Sequence, residues 1–125
     1  MGRIRENLEI KGRDCWTLFD GGARNSYVVQ QATDGLLVVQ LEELRSFALG
    51  GKAHSITASC LVEARVEEHP VEFHANVTDE IGKDEDGKPI EMLFGAISMQ
   101  QWGIKLDHPN EKLDLTHLAH DFVEF

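Results

Sequence analysis

The feature that most constrains this chain is one acidic residue placed between the end of an apolar strand and a pair of glycines. The segment reads Leu18-Phe19-Asp20-Gly21-Gly22-Ala23. A strand that ends in Leu-Phe is normally buried, so Asp20 is expected at the rim of a core. The two glycines allow a tight backbone that brings main-chain N–H groups near the carboxylate. An acid there is costly unless it is paired or used, although Asp-Gly is also common in ordinary strand-ending turns.

A second segment, residues 92–107, has the pattern of an apolar strand, a glycine, a short helical turn and another strand. Met99 and Trp102 lie three residues apart, a spacing typical of a helical turn. Together with the Asp20 segment, this order resembles the retropepsin-like aspartic proteases over roughly residues 8–115. In that family an Asp-Thr/Ser-Gly-Ala loop supplies the catalytic carboxylate, and a later apolar-apolar-Gly segment crosses under it and leads into a helix.

The resemblance implies a mostly β, single-domain fold over residues 1–125: a closed β-barrel half with one short helix, assembling as a homodimer. Aspartic peptidases hydrolyse peptide bonds with two carboxylates that share a proton and activate a water molecule. This chain offers one Asp-x-Gly-Ala, so an Asp20 from each of two subunits would have to meet on a two-fold axis. The implied site residues are Asp20 for catalysis and Gly22, Ala23, Arg24, Gly50 and Gly51 for binding a peptide or protein substrate.

Gly21 departs from the family pattern, because the family has a threonine or serine there. That hydroxyl reaches the partner loop and joins the two halves of the site, and glycine cannot replace it. A catalytically weak or inactive relative that acts as a dimeric peptide-binding module is therefore a second hypothesis. A third is a small β-barrel unrelated to peptidases, with Asp20 in a plain turn. Arg24 either pairs near Asp20, binds a substrate carboxylate or is an exposed turn residue.

Periodicity predicts the remaining elements. The expected elements are a hairpin over 7–20 that turns at 12–14, a strand at 27–29, a flap-like hairpin over about 44–66, a turn at 67–70, a half-buried strand at 71–77, and a charged loop at 79–89. Residues 30–45 are ambiguous between helix and strand. In the strand at 71–77, Val77 is expected on the buried face and Asn76 on the polar face. The tail over 117–125 is expected to add a strand or to dock at a subunit interface.

The charge balance restricts the partners. There are 22 acidic and 12 basic residues, a formal net charge of −10, which argues against nucleic acid and anionic membrane surfaces. No apolar run approaches the roughly 20 residues of a membrane span, and an N-terminal secretory signal is not expected, so a cytoplasmic location is predicted. Cys15 and Cys60 are expected to be buried apolar residues rather than a disulfide. His117 and His120 are too few for a zinc site, and neither a metal nor a cofactor is expected.

Overall fold

The computed structural model describes residues 3–49 and 51–118. The chain begins with a hairpin of strands β1 (Arg3–Ile10) and β2 (Arg13–Asp20). The hairpin is confirmed, but its turn is shorter than expected and contains only Lys11 and Gly12. Both residues have positive φ angles, 52° and 80°, as a two-residue turn between twisted strands requires. The expected turn at residues 12–14 is therefore wrong, since Arg13 and Asp14 already belong to β2.

The remaining elements follow the expected order. They are β3 (Tyr27–Val29), a 3-10 turn (Gln30–Ala32), β4 (Leu37–Leu49), β5 (Lys52–Val66), β6 (His69–Thr78), β7 (Gly82–Lys83), β8 (Pro89–Ile90), β9 (Met92–Phe94), helix α1 (Ala96–Trp102), β10 (Lys105–Asp107) and β11 (Lys112–Asp114). The ambiguous region thus contains a single 3-10 turn and then a long strand. The segment 79–89 contains the paired strands β7 and β8 rather than only a loop.

Seven strands form one sheet in the order β1-β2-β9-β3-β6-β5-β4. Strand β9 lies between β2, to which it is parallel, and β3, to which it is antiparallel. One further register pair joins Glu9 of β1 to Arg65 of β5. The mostly β fold with one short helix is confirmed, while closure of the sheet into a barrel stays a prediction.

The two long strands β4 and β5 form the hairpin that the glycines at 50 and 51 predict. Their register runs from Leu37 opposite Leu61 to Leu49 opposite Lys52, with an irregularity between Gln40 and Arg45. From His54 onward, alternate residues of β5 are buried, as expected of a strand with one face on the core. We call this element, residues 37–66, the long hairpin.

The turn between β5 and β6 is also tighter than expected. It consists of Glu67 and Glu68, with φ angles of 46° and 73°, so His69 and Pro70 belong to β6. Alternation in β6 holds through Ala75 and then fails, because Asn76 is buried and Val77 is only half-buried. The register partner of Asn76 in β3 is Tyr27, whose buried ring helps to cover this face of the sheet. The expected polar face at Asn76 is therefore wrong.

The main core packs α1 against the sheet. The ring of Phe94 contacts those of Phe19 and Phe73, with centroids 4.9 and 4.6 Å apart. Met99 and Trp102 are buried on α1, and the Trp102 indole N–H donates to the Glu72 carbonyl at 2.8 Å. The predicted helical turn is thus confirmed. The helix ends at Gly103, whose φ of 70° is a left-handed conformation.

The two cysteines are free and buried, as expected. Burial is the main cause that raises the pKa of Cys15 to about 12 and that of Cys60 to about 11. Neither thiol is therefore poised for nucleophilic chemistry. Within 3–49 and 51–118, no helix is long and apolar enough to cross a membrane. The predicted role of the C-terminal tail concerns residues that lie mostly outside the described part of the chain.

Candidate active site

Asp20 is the last residue of β2 and stands where the buried strand reaches the surface. Phe19 is fully buried, whereas Asp20 keeps 9% of its surface exposed. The Gly22 N–H donates to Asp20 Oδ1 at 2.8 Å, and the Ala23 N–H donates to the Asp20 carbonyl at 3.2 Å. A Cβ atom at Gly22 would lie 3.2 Å from the same carboxylate oxygen, so glycine permits this close approach. The predicted approach of the main chain to the carboxylate is confirmed for one N–H group, that of Gly22.

The second carboxylate oxygen faces a cation that sequence reasoning missed. Arg3 Nε lies 3.5 Å from Asp20 Oδ2. The two residues are directly opposite in the β1–β2 register, which runs outward from the turn at Lys11 and Gly12. The missing signal was this register, because the predicted first strand began only at residue 7. Arg24, one of the alternatives for a partner of Asp20, is exposed instead.

The loop after Asp20 rests on the start of α1. The N–H groups of Ala96 and Ile97 donate to the carbonyls of Ala23 and Arg24 at 2.7 and 3.0 Å. These bonds satisfy helix-terminal N–H groups that otherwise have no partner within the helix. The second segment therefore crosses beneath the Asp20 loop and holds it by its backbone.

A buried pair of serines completes this support. Ser26 Oγ accepts a hydrogen bond from the Gly95 N–H at 3.0 Å and lies 2.9 Å from Ser98 Oγ. A Cβ atom at Gly95 would fall 2.2 Å from the Asn25 carbonyl oxygen, which no side chain can tolerate. Glycine at position 95 is thus required for α1 to pack this closely under the loop.

Above Asp20 lies an open cleft of about 550 Å³. Its lining includes Asp20, Gly22 and Ala23, together with Lys52 and His54 of the long hairpin. The opposite wall is formed by residues 80–83, and by Ile90. The cleft therefore lies between the Asp20 loop, the long hairpin and the segment that follows β6.

Two contacts join the long hairpin to the segment after β6. His54, whose side chain is almost fully buried, has Nδ1 3.1 Å from Asp79 Oδ1, and Lys52 Nζ donates to Glu80 Oε1 at 2.5 Å. The hydrogen bond from His54 is the largest cause that lowers the pKa of Asp79, followed by the Glu80 backbone N–H. We call these two pairs the hairpin contacts. They hold the hairpin over the cleft.

The predicted binding residues fall into two groups. Gly22 and Ala23 line the cleft, whereas Arg24 and Gly51 are exposed and are not among its lining residues. Gly51 forms the tip of the long hairpin, with a φ of 81°. Gly50 lies outside the described residues. Sequence reasoning missed the charged residues Arg3, Lys52, Glu80 and Lys83, which reach the cleft only through long-range packing.

Within the described residues there is no cluster of three or more His, Cys, Asp or Glu side chains that could hold a metal ion. Of the two histidines that were too few for a zinc site, His117 and His120, the second lies outside those residues. The chemically distinctive feature of the cleft is thus the Asp20 carboxylate, with an N–H donor on one oxygen and a guanidinium near the other.

Comparison with known proteins gives the class of fold. No family model matches the sequence, and no curated protein matches it either. Among solved structures, the retroviral protease-like domain of Ddi1 from Leishmania major superposes with a TM-score of 0.69 and 16% identity, covering 94% of this chain and 91% of that one. EIAV protease, solved in complex with the inhibitor HBY-793, gives a TM-score of 0.61 and 16% identity, covering 84% and 92% of the two chains.

The chain therefore has the retropepsin-like fold that its two motifs indicate. Both matches span nearly the whole of the compared domain, so the likeness is not restricted to the Asp20 loop. At 16% identity, the likeness concerns the fold, and the chemistry rests on the residues of the cleft.

Proposed function

We propose that the chain is an aspartic endopeptidase whose active site forms between two identical subunits. The observation that carries the proposal is the position of Asp20. Asp20 lines a cleft and begins a loop that is hydrogen-bonded to the start of α1, in a protein with the retropepsin-like fold. The proposal includes a closed half-barrel in each subunit, a peptide or protein substrate and a cytoplasmic setting.

The proposed chemistry needs a second carboxylate beside Asp20. Two carboxylates within hydrogen-bonding distance cannot both ionise readily, so they hold one proton between them. The ionised partner then accepts a proton from a bound water molecule, while the protonated partner donates to the scissile carbonyl oxygen. The Gly22 N–H, fixed at 2.8 Å from Asp20 Oδ1, would keep each carboxylate oriented during these proton transfers.

A dimeric peptide-binding module is the second candidate, and Gly21 is the residue that favours it. The glycines of the described chain with a positive φ include Gly12 and Gly51 but not Gly21. The backbone at position 21 therefore does not require glycine, and the lack of a hydroxyl there is a genuine chemical difference from the family pattern. A lost hydrogen bond of this kind typically costs about 0.5–1.5 kcal/mol.

The deciding experiment measures cleavage by Asp20→Asn. The wild-type protein should cleave an unfolded protein or a peptide library between acidic and neutral pH, and Asp20→Asn should abolish cleavage because an amide cannot accept the water proton. Products are followed by mass spectrometry, and circular dichroism establishes that the variant is folded.

The matched control is Asp34→Asn, which changes another Asp-Gly pair that lies in an exposed turn. It should cleave as the wild type does. Full activity of Asp20→Asn would remove Asp20 from the mechanism. A wild-type protein that binds peptides without cleaving them at any pH would establish the binding-module candidate instead.

A further inference from the structure

The charges that line the cleft are unlike those of the whole molecule. The chain has a net charge of −10, yet the cleft wall carries three cationic side chains, Arg3, Lys52 and Lys83, against the carboxylates of Asp20 and Glu80. Arg3 faces Asp20, and Lys52 is bonded to Glu80. Lys83 is exposed and has no carboxylate partner within the described part of the chain. The cleft is thus left with one uncompensated positive charge.

Lys83 lies on a short strand whose backbone is held by strand pairing and by a hydrogen-bonded turn. Its strand β7 pairs with β8, with Lys83 opposite Pro89. The turn between them is closed by Asp84, whose Oδ1 accepts hydrogen bonds from the N–H groups of Asp86 and Lys88, both at 2.9 Å. The base of the Lys83 side chain is therefore fixed at the cleft wall, while its ammonium group remains free to reach a ligand.

The acidic residues next to Lys83 in the sequence are occupied elsewhere. Asp84 Oδ2 accepts a hydrogen bond from the Trp16 indole N–H at 3.0 Å, and Glu85 is paired with Arg5. Both carboxylates thus have a partner other than Lys83 in the structure. The ammonium group of Lys83 is therefore the cation of the cleft wall that lacks a carboxylate partner among the described residues.

We propose that Lys83 selects peptides with an acidic side chain close to the bond that is cleaved. This inference rests on the proposed function, since it takes the cleft above Asp20 as the place where the peptide lies. A substrate carboxylate beside Lys83 would complete the ion pair that the chain itself does not supply. The sharing of one proton by two Asp20 carboxylates would also leave Arg3 less fully neutralised, which adds to the positive character of the cleft.

The test uses three fluorogenic peptides that are identical except for Glu, Gln or Lys at one position within three residues of the cleaved bond. The position is chosen from library cleavage products. We expect kcat/KM to be about fivefold higher for the Glu than for the Gln peptide, as one exposed ion pair allows, and lowest for the Lys peptide. Lys83→Glu should reverse the order of the Glu and Lys peptides.

The matched control is Lys112→Glu, which makes the same charge change at an exposed position of β11 away from the cleft. It should keep the wild-type order of the three peptides. Equal cleavage of the Glu and Lys peptides at every position tested, or an order that survives in Lys83→Glu, would overturn the inference while leaving the endopeptidase proposal intact.

Binding separates failure of this inference from failure of the proposed function. Fluorescence anisotropy with the same peptides measures their affinity for Asp20→Asn, in which cleavage does not interfere. If the wild type cleaves none of the peptides, yet the Glu peptide binds more tightly than the Lys peptide and Lys83→Glu reverses that order, then Lys83 selects acidic peptides for binding and only the endopeptidase proposal fails. If the three peptides then bind equally, both fail.

Discussion

Asp20 is satisfied within a single chain, which explains how an acid can occupy this position without a second subunit. One carboxylate oxygen accepts from the Gly22 N–H and the other lies near the Arg3 guanidinium. A buried carboxylate without such partners would be costly. Glu6 illustrates the opposite case, since its Oε2 is buried and its charged neighbour is another carboxylate, that of Glu67. Burial, followed by the negative charge of Glu67, raises the pKa of Glu6 to about 7.

Glu6 should therefore make stability depend on pH. The ordinary pKa of the group is 4.5, so between pH 4.5 and about 7 the folded chain holds a proton that the unfolded chain has released. The free energy of unfolding should thus fall as the pH rises through this range. Glu6→Gln should remove the fall and stabilise the protein by about 1 kcal/mol at pH 8, a value reduced for screening because Glu6 is only half-buried.

Urea unfolding from pH 4 to 8 measures this effect. The matched control is Glu9→Gln on the same strand, where the side chain is exposed, and it should keep the wild-type slope. If Glu6→Gln retains the full decrease in stability between pH 4.5 and 7, the assignment to Glu6 is wrong.

At the scale of elements, the long hairpin is held to the rest of the molecule near its tip by polar contacts. His54 and Lys52 bind the segment after β6 through Asp79 and Glu80. Three of these four side chains are well exposed, whereas that of His54 is almost fully buried. Exposed ion pairs are generally weak, so the tip should open locally while the sheet stays intact.

The variant Asp79→Asn should make this opening easier, because it removes the carboxylate that His54 binds. We expect faster amide hydrogen exchange over residues 51–56, with little change in the slowest-exchanging amides of β2 and β9. The pKa of Asp79 is lowered below 3.8, so the contribution of the wild-type carboxylate is present above pH 3.8 and is lost as the pH falls through the lowered value.

The matched control for exchange is Glu43→Gln, which removes an exposed carboxylate from β4 outside the hairpin contacts. Identical exchange at the hairpin tip in the wild type and in Asp79→Asn would show that the His54 contact does not hold this element.

At the scale of the whole molecule, the proposed dimer has to form against its own charge. Each chain carries −10, and a dimer carries twice that charge. Repulsion between exposed charges weakens as the Debye length falls from about 10 Å at 0.1 M salt to about 3 Å at 1 M. The dimer dissociation constant should therefore decrease as the salt concentration rises over this range, and specific activity should fall on dilution.

Sedimentation velocity and peptide cleavage over one dilution series, at both salt concentrations, measure these two effects together. Sucrose at matched viscosity serves as the control for changes in the solvent that do not involve screening. A protein that stays monomeric at every concentration and still cleaves peptides would exclude an active site built from two chains.

Local sequence determined the features that depend on neighbours along the chain. Alternation predicted the first hairpin and the start of β6, and the spacing of Met99 and Trp102 predicted the helical turn of α1. Asp20 followed by two glycines predicted the carboxylate with a main-chain donor, because a two-residue Asx-type contact needs no distant partner. Turn lengths did not follow from the local sequence, since Lys11, Glu67 and Glu68 adopt positive φ angles that are uncommon for their residue types.

Only the tertiary structure decided which charges surround Asp20. Arg3 is 17 positions from Asp20 in the sequence and lies opposite it only because β1 pairs with β2. Lys52, Glu80 and Lys83 come from elements far apart in sequence. The burial of Asn76 likewise depends on its neighbour Tyr27 and on the apolar cluster to which Tyr27 belongs. The sequence of β6 by itself does not show these neighbours. The position of Asp20 at a strand end follows from the local sequence. Its electrostatic environment is set by long-range strand pairing, and the periodicity of a single strand carries no information about that pairing.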